Sequence, residues 1–172
     1  FSQLKKLERL KKLNSYALKN FYKIDFIFLL SLFIIDGTDN TDYFFYKFNI
    51  SKKDQKRVKK IDLFYKEKMN VKNFNKKFLN KIFYFDGKQA VIDIINFRLF
   101  TSNKVEKNLI ELVRFYQYKQ IPDIPVSAID IMTKYNLPEG RLLGNKLKIV
   151  KQIWVENDFE ITEKQIEKIV KN

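Results

Sequence analysis

Residues 122–159 read PDIPVSAIDIMTKYNLPEGRLLGNKLKIVKQIWVENDF, and the punctuation of this stretch decides the fold class. Pro122 and Pro125 open it and mark a boundary, followed by a short apolar-patterned segment from Val126 to Met132. Leu137-Pro138-Glu139-Gly140-Arg141-Leu142-Leu143-Gly144 then opens a helix. Its Leu143, Leu147, Val150 and Trp154 fall at spacings of four, three and four, so they share one face. Pro138 suits the first turn, where its missing N–H would have no partner anyway. Gly140 and Gly144 are two of only four glycines in the chain. Glycine inside a helix costs about 1 kcal/mol relative to alanine. Two of them one turn apart predict a close approach of something to the backbone.

The helical period continues on either side of this stretch. Residues 2–20 place Leu4, Leu7, Leu10 or Lys11, Leu13 or Asn14, and Ala17 or Leu18 near helical spacing with Lys and Arg on the other face, an amphipathic helix. Tyr22 to Ile35 is apolar nearly all round, which predicts a central helix, and Asp36 to Asn40 breaks it. Phe44 to Phe48 reads equally as a strand or a helix end. Ser51 is placed to cap a helix to Lys68, with Asp54 at its positive end. Val58, Ile61 and Phe64 or Tyr65 face inward there, and Lys52, Lys53, Lys56, Arg57, Lys59 and Lys60 outward. A helix from Val71 to Tyr84 turns Phe74, Phe78 and Ile82 inward and Lys72, Lys76, Lys77 and Lys81 outward, ending at Asp86-Gly87. Lys88–Phe100 and Lys104–Tyr118 follow. Past Trp154 and a connection at Asp158-Phe159, Thr162 and Gln165 form a capping box for a last helix to Val170. Nothing reads as a sheet. The expected fold is all-α, with a helical body over residues 1–120 and a smaller helical tail over 121–172.

The 172 residues include no Cys, which excludes disulfides and Cys-ligated zinc, and no His, which removes the usual general base and any His-based triad. No Gly-rich phosphate loop is present. Asp36, Asp39 and Asp42 cluster as turn residues rather than as a metal site. Net charge is +14, which favours an acidic partner, nucleic acid or anionic membrane. The abundance of Lys beside Phe, Ile, Asn and Tyr also matches AT-rich coding. The charge is uneven, however. Residues 47–81 hold thirteen Lys and Arg against three Asp and Glu, whereas residues 126–172 hold eight against seven. The Lys52, Lys53, Lys56, Arg57 and Lys60 face is either a phosphate track or a solvated surface. The helix start at Gly140, Arg141 and Gly144, with Lys148 and Lys151 beyond, is either a phosphate site or a close helix–helix contact through Gly144.

Taken together these motifs resemble the C-terminal half of bacterial class II tRNA nucleotidyltransferases, the CCA-adding enzyme and poly(A) polymerase family. The family's tail reads as Pro, a short apolar run, Gly-x-Asp-Leu, Pro-Gly-x-x-Leu-Gly, then a helix ending in Trp and a Phe. The matching residues are Pro125, Asp130-Ile131, Pro138, Gly140, Leu143-Gly144, Trp154 and Phe159. Asn49 to Asp54 and Asp86 to Ala90 resemble two helix starts of the family's body, and Leu7–Leu13 and Tyr22–Ile35 its preceding helices. The likeness runs over nearly the whole chain in the right order. Departures are Ala128 in the usual glycine position before Asp130, and Arg141 where the family has proline.

The paired-Asp catalytic strand and the Glu-Asp-x-x-Arg nucleotide-reading motif are absent, so the resemblance implies body and tail without the catalytic head. It implies an α-helical module that binds tRNA, holds its acceptor–TΨC arm and keeps the 3′ end aimed at a head. That head is either removed or supplied by another chain. No catalytic residue and no metal ligand is expected here, since Mg and CTP or ATP would belong to the head. The implied place is the bacterial cytoplasm or an organellar matrix. The competing expectation is a helical scaffold or assembly subunit derived from the family that binds protein. Membrane association is not expected, because Phe26–Ile35 is about half the roughly twenty residues a span needs and the basic face lacks an apolar anchor.

Overall fold

The computed structural model describes residues 8, 24–67, 74–102 and 106–171, and among them every regular element is an α-helix. The amphipathic segment expected at 2–20 lies, except for residue 8, outside the described residues. Local side chains start several of the helices. Asp25 precedes α1 (Phe26–Ile34) and accepts from the Phe28 N–H at 2.9 Å. The aromatic segment that read as strand or helix end is α2 (Asn40–Lys47). Ser51 opens α3 (Lys52–Lys66), accepting from the Asp54 N–H at 3.2 Å. Asn75 opens α4 (Lys76–Asp86) in the same way, with the Phe78 N–H at 3.0 Å. Each such cap contributes about 1 kcal/mol. α5 (Lys88–Thr101) follows after Gly87 alone, whose φ of +91° is a conformation side-chain-bearing residues rarely adopt. α6 (Lys107–Tyr118) completes the body. The expected starts at Val71 and Lys104 lie outside the described residues.

α5, not the 22–35 segment, is the central helix. Val91, Ile94, Ile95, Phe97, Leu99 and Phe100 are all buried on it, and it packs against α3, α4 and α6. In α1 one stripe is buried around Phe28 and Leu32, while Phe26 is 71% exposed and Phe33 40%. The apolar run of α1 therefore exceeds the core surface it has to cover. The helix itself is expected at Lys88–Phe100, but its central place escaped notice because Asp93 and Asn96 interrupt its apolar pattern, yet both are buried. Asp93 is buried because Arg57 reaches it from α3: Nε donates to Oδ2 at 2.5 Å and Nη2 to Oδ1 at 2.8 Å. The same guanidinium meets Asp25 at 2.8 Å, so one cation joins α3, α5 and the cap of α1. Arg57 is thus not on the outer face, its side chain being 20% exposed. Burial pushes the Asp93 carboxyl above its usual range, and the bonds from Arg57 and Gln89 offset only part of that.

The tail is α7 (Ala128–Tyr135), α8 (Arg141–Glu156) and α9 (Glu163–Lys171). Ser127 and Asp130 form a reciprocal capping box at the start of α7, and Asn136 ends it at φ +50°. The Thr162–Gln165 box opens α9 as the sequence predicts, with the Gln165 N–H donating to Thr162 Oγ1 at 3.3 Å. Ile131, Leu143 and Val170 make a small core of their own, with Met132, Leu147 and Ile166 against it. α8 begins at Arg141 with Gly140 as its cap, so Pro138 stands before the helix rather than in its first turn.

The far end of α8 belongs to the body. Trp154 sits edge-on to Tyr84 of α4 at 5.2 Å and to Phe159 at 5.1 Å. Asp158 and Phe159 both have positive φ, +60° and +68°. That conformation costs about 1–2 kcal/mol for each residue with a Cβ. Asp158 offsets it by accepting from Asn80 Nδ2 at 3.0 Å and Lys119 Nζ at 3.3 Å, and by pairing with Lys76. Asn80 is fully buried and in turn accepts from the Tyr116 hydroxyl at 2.9 Å. Glu156 pairs with Lys77 at 2.6 Å and with Lys81. Three of the α4 lysines expected to face outward therefore seat the end of α8.

Two tests follow from this packing. Arg57→Met leaves Asp93 buried without its cation, and breaking such a pair costs about 3–5 kcal/mol. Urea unfolding followed by circular dichroism should show a loss of that size, and adding Asp93→Leu should recover most of it. The second test uses acid. Bonds from Lys77 and Lys81 hold the Glu156 carboxyl at about 2, below its ordinary 4.5. Between those values the unfolded chain binds more protons, so this stabilisation is complete above the ordinary value and lost as pH falls through about 2. Glu156→Gln should flatten the fall of urea midpoint with acid in that window. Parallel curves for the two proteins would remove Glu156 from the account.

Candidate nucleic-acid interface

The basic residues expected to contact RNA divide into three groups. Lys52, Lys53 and Lys56 are exposed on α3 and have no ion-pair partner among the described residues. Lys60 lies on the same face but is half-buried and paired with Asp86 at the end of α4. Burial and the neighbouring charge of Lys56 push the Lys60 ammonium below its usual range. Arg57 points the other way, into the body, as described. Lys59 holds Asp42 of α2 at 3.1 Å. The free cations of α3 are therefore at its first two turns.

The second set stands at the start of α8. Gly140 caps the helix with φ +151° and offers no side-chain hydrogen bond to the first turn. Arg141, Gly144 and Lys148 are exposed and follow at spacings of three and four, one stripe of the helix. Lys151 continues the stripe but lies 5.7 Å over the Tyr84 ring, at the seam with α4. A Cβ built on Gly144 meets nothing within 4 Å. The close approach that two glycines implied is therefore not another helix among the described residues. The first turn of α8 presents free N–H groups, a positive helix end and one arginine to open space. A phosphate is the chemistry this arrangement accepts.

α3 and α8 have different main neighbours: α1, α2 and α5 for the first, α4, α7 and α9 for the second. The two cation sets are accordingly separate patches carried on one packed frame. Asp36 serves its turn, accepting from the Thr38 N–H at 3.0 Å and hydroxyl at 2.7 Å. Among the described residues no group of three or more carboxylates is gathered to hold a metal ion. Among the same residues no helix is long and apolar enough to cross a membrane.

Phe85 and Gln89 were missed by the sequence reading. Together with Lys53, Lys56 and Lys60 they line a cleft between α3 and the α4–α5 corner. Phe85 stands seven residues after Phe78, which reads as core, yet it is 57% exposed. Only the packing distinguishes it.

The two tail glycines make opposite predictions. Gly140→Ala forces a side chain into a backbone conformation that costs about 1–3 kcal/mol. Gly144→Ala fills open space in a helix and should stabilise by about 0.5–1 kcal/mol. Thermal unfolding of the two variants beside the parent protein checks both signs.

No family model, no curated protein and no solved structure matches the chain.

Proposed function

We propose that this chain is the RNA-holding body and tail of a class II tRNA nucleotidyltransferase. On this reading it grips the acceptor–TΨC arm of tRNA and keeps the 3′ end aimed at a catalytic head that is not among its residues. The ordered motifs of the sequence support this, and the helical architecture is compatible with it. The observation that carries the reading is Gly144: a glycine in the first turn of a 16-residue helix, exposed, with open space where a Cβ would go. A helix position that costs stability, with open space among the described residues where a Cβ would stand, fits a backbone kept clear for a phosphate.

The work of such a module is positional. Lys52, Lys53 and Lys56 on one patch and Arg141 and Lys148 on the other would neutralise phosphates and release counterions. RNA duplexes are recognised mainly by shape, phosphates and 2′-hydroxyls, so little base specificity is expected from these groups. Mg and CTP or ATP act in the head, and this chain alone transfers no nucleotide.

The test is binding of labelled tRNA across a salt series with double-stranded DNA as competitor. Affinity should fall steeply with salt, by a slope of roughly 0.9 per phosphate neutralised. Lys52→Glu with Lys56→Glu should weaken binding at least tenfold, and so should Arg141→Glu. Gly144→Ala is the sharpest variant, because it should weaken tRNA binding while making the protein more stable. No binding at low salt would sink the reading and favour a protein-binding scaffold.

A further inference from the structure

The cleft between α3 and the α4–α5 corner has a volume of about 590 Å³. That lies within the ~300–1,000 Å³ typical of ligand clefts. Its floor is fixed: Arg57 holds Asp93 through two bonds, and Gln89 Nε2 donates to Asp93 Oδ1 at 2.9 Å. That bond leaves Gln89 Oε1 as an acceptor in the wall. One rim is Lys53, Asp54, Lys56 and Lys60 from α3, the other is Phe85 with Asp86, and Asp25 also lines the cleft. Lys60 is occupied by Asp86, but Lys53 and Lys56 have no anion among the described residues. An exposed phenyl ring, two unpartnered ammonium groups and a rigid polar floor meet in one place.

We infer that this cleft takes one unstacked nucleotide of a single-stranded RNA, its base against Phe85 and its phosphates on Lys53 and Lys56. The inference rests on the RNA-holding reading and extends it from duplex backbone to a single-stranded segment. A phenyl face accepts any base by stacking, and ammonium groups track the backbone that carries it. A strand fits better than a free mononucleotide because the cations continue. A shallow groove lined by Lys52, Gln55, Lys56, Lys59, Lys60 and Leu63 shares Lys56 and Lys60 with the cleft and runs along α3. Lys52 stands about one helical turn before Lys56 there, so a phosphate beyond the bound base meets a further free charge, while Lys59 in the same groove is held by Asp42.

The experiment uses the full chain and a fluorescein-labelled ten-nucleotide single-stranded RNA of mixed sequence, read by anisotropy, with tRNA binding measured in parallel. Phe85 is more than half exposed, so Phe85→Ala leaves the core intact, and circular dichroism checks that it does. Phe85→Ala should weaken the oligomer about tenfold with an unchanged salt slope, and Phe85→Tyr should restore it. Lys53→Gln with Lys56→Gln should lower the salt slope by about 1.4, two phosphates at roughly 0.7 each for single strands. Millimolar AMP should leave the oligomer bound. Unchanged oligomer binding in Phe85→Ala overturns the inference, and so does displacement by AMP, which would make the cleft a mononucleotide site. Binding of tRNA without binding of the oligomer overturns this inference alone. Loss of both overturns the RNA-holding reading with it.

Discussion

The carboxylate of Asp158 holds body and tail in register. It lies in a left-handed turn that neither Asp158 nor Phe159 would choose, and it stays there because donors from α4 and from the end of α6 converge on it. Burial pushes its carboxyl up, and bonds from Lys76 and Asn80 with the charge of Lys119 outweigh that, leaving it below the ordinary value. The group therefore stays ionised throughout the neutral range. Behind it, Tyr116 donates to Asn80 and Asn80 to Asp158, a relay through buried polar atoms that would be costly if any link were missing. With the turn fixed, Phe159 folds back onto Trp154 and comes within reach of Phe83, and the Lys119 ammonium stands 4.5 Å over its ring. The Trp and the Phe that mark the end of the tail motif are thus two faces of one contact.

The same seam sorts the charge of the molecule. A chain at +14 repels itself, and its compact state needs carboxylates placed where lysines would otherwise crowd. Glu156 and Asp158 are such carboxylates, at the negative end of α8, and they engage Lys76, Lys77, Lys81 and Lys119. Asp93, Asp25, Asp86 and Asp42 do the same for Arg57, Lys60 and Lys59. Among the described residues, the exposed lysines without an ion pair include Lys52, Lys53 and Lys56 at the first two turns of α3 and Lys148 near the start of α8, alongside Lys47, Lys107, Lys164 and Lys168 elsewhere.

How much of this was legible follows from what each feature depends on. Helix starts were read from local signals at Ser51 and Thr162, while the equally local Ser127–Asp130 box went unread. The inward face of α8 was readable because Leu143, Leu147, Val150 and Trp154 keep one period. Centrality was not readable, because it depends on what packs around a helix. The polar Asp93 and Asn96 disguised α5, while the unbroken apolar run promoted α1 beyond its role. Arg57 was misplaced for the same reason. Among five basic neighbours nothing local distinguishes it, and its direction is set by a carboxylate 36 residues away. α8 starts at Arg141, three residues past Pro138, since the strained Gly140, and not the proline, ends the incoming segment.

The seam also sets what the first turn of α8 can reach. α8 is continuous over 16 residues, a rod of about 24 Å. Its last turn is clamped to α4, so its first turn is held at a fixed distance and direction from the body, with α7 and α9 packed along it. Arg141, Gly144 and Lys148 are therefore presented on a rigid arm rather than on a loop, and their separation from the α3 lysines is a property of the fold. Two cation patches at a set spacing gain little from a small flexible anion, which can satisfy only one of them. They gain from a partner that is itself stiff and carries regularly placed phosphates, because neither side then loses conformational entropy to bring the second contact into place. An RNA duplex arm has that stiffness, and a disordered acidic peptide does not. This is the physical reason that the proposal of a duplex nucleic-acid partner leans on the helical packing and not on the net charge.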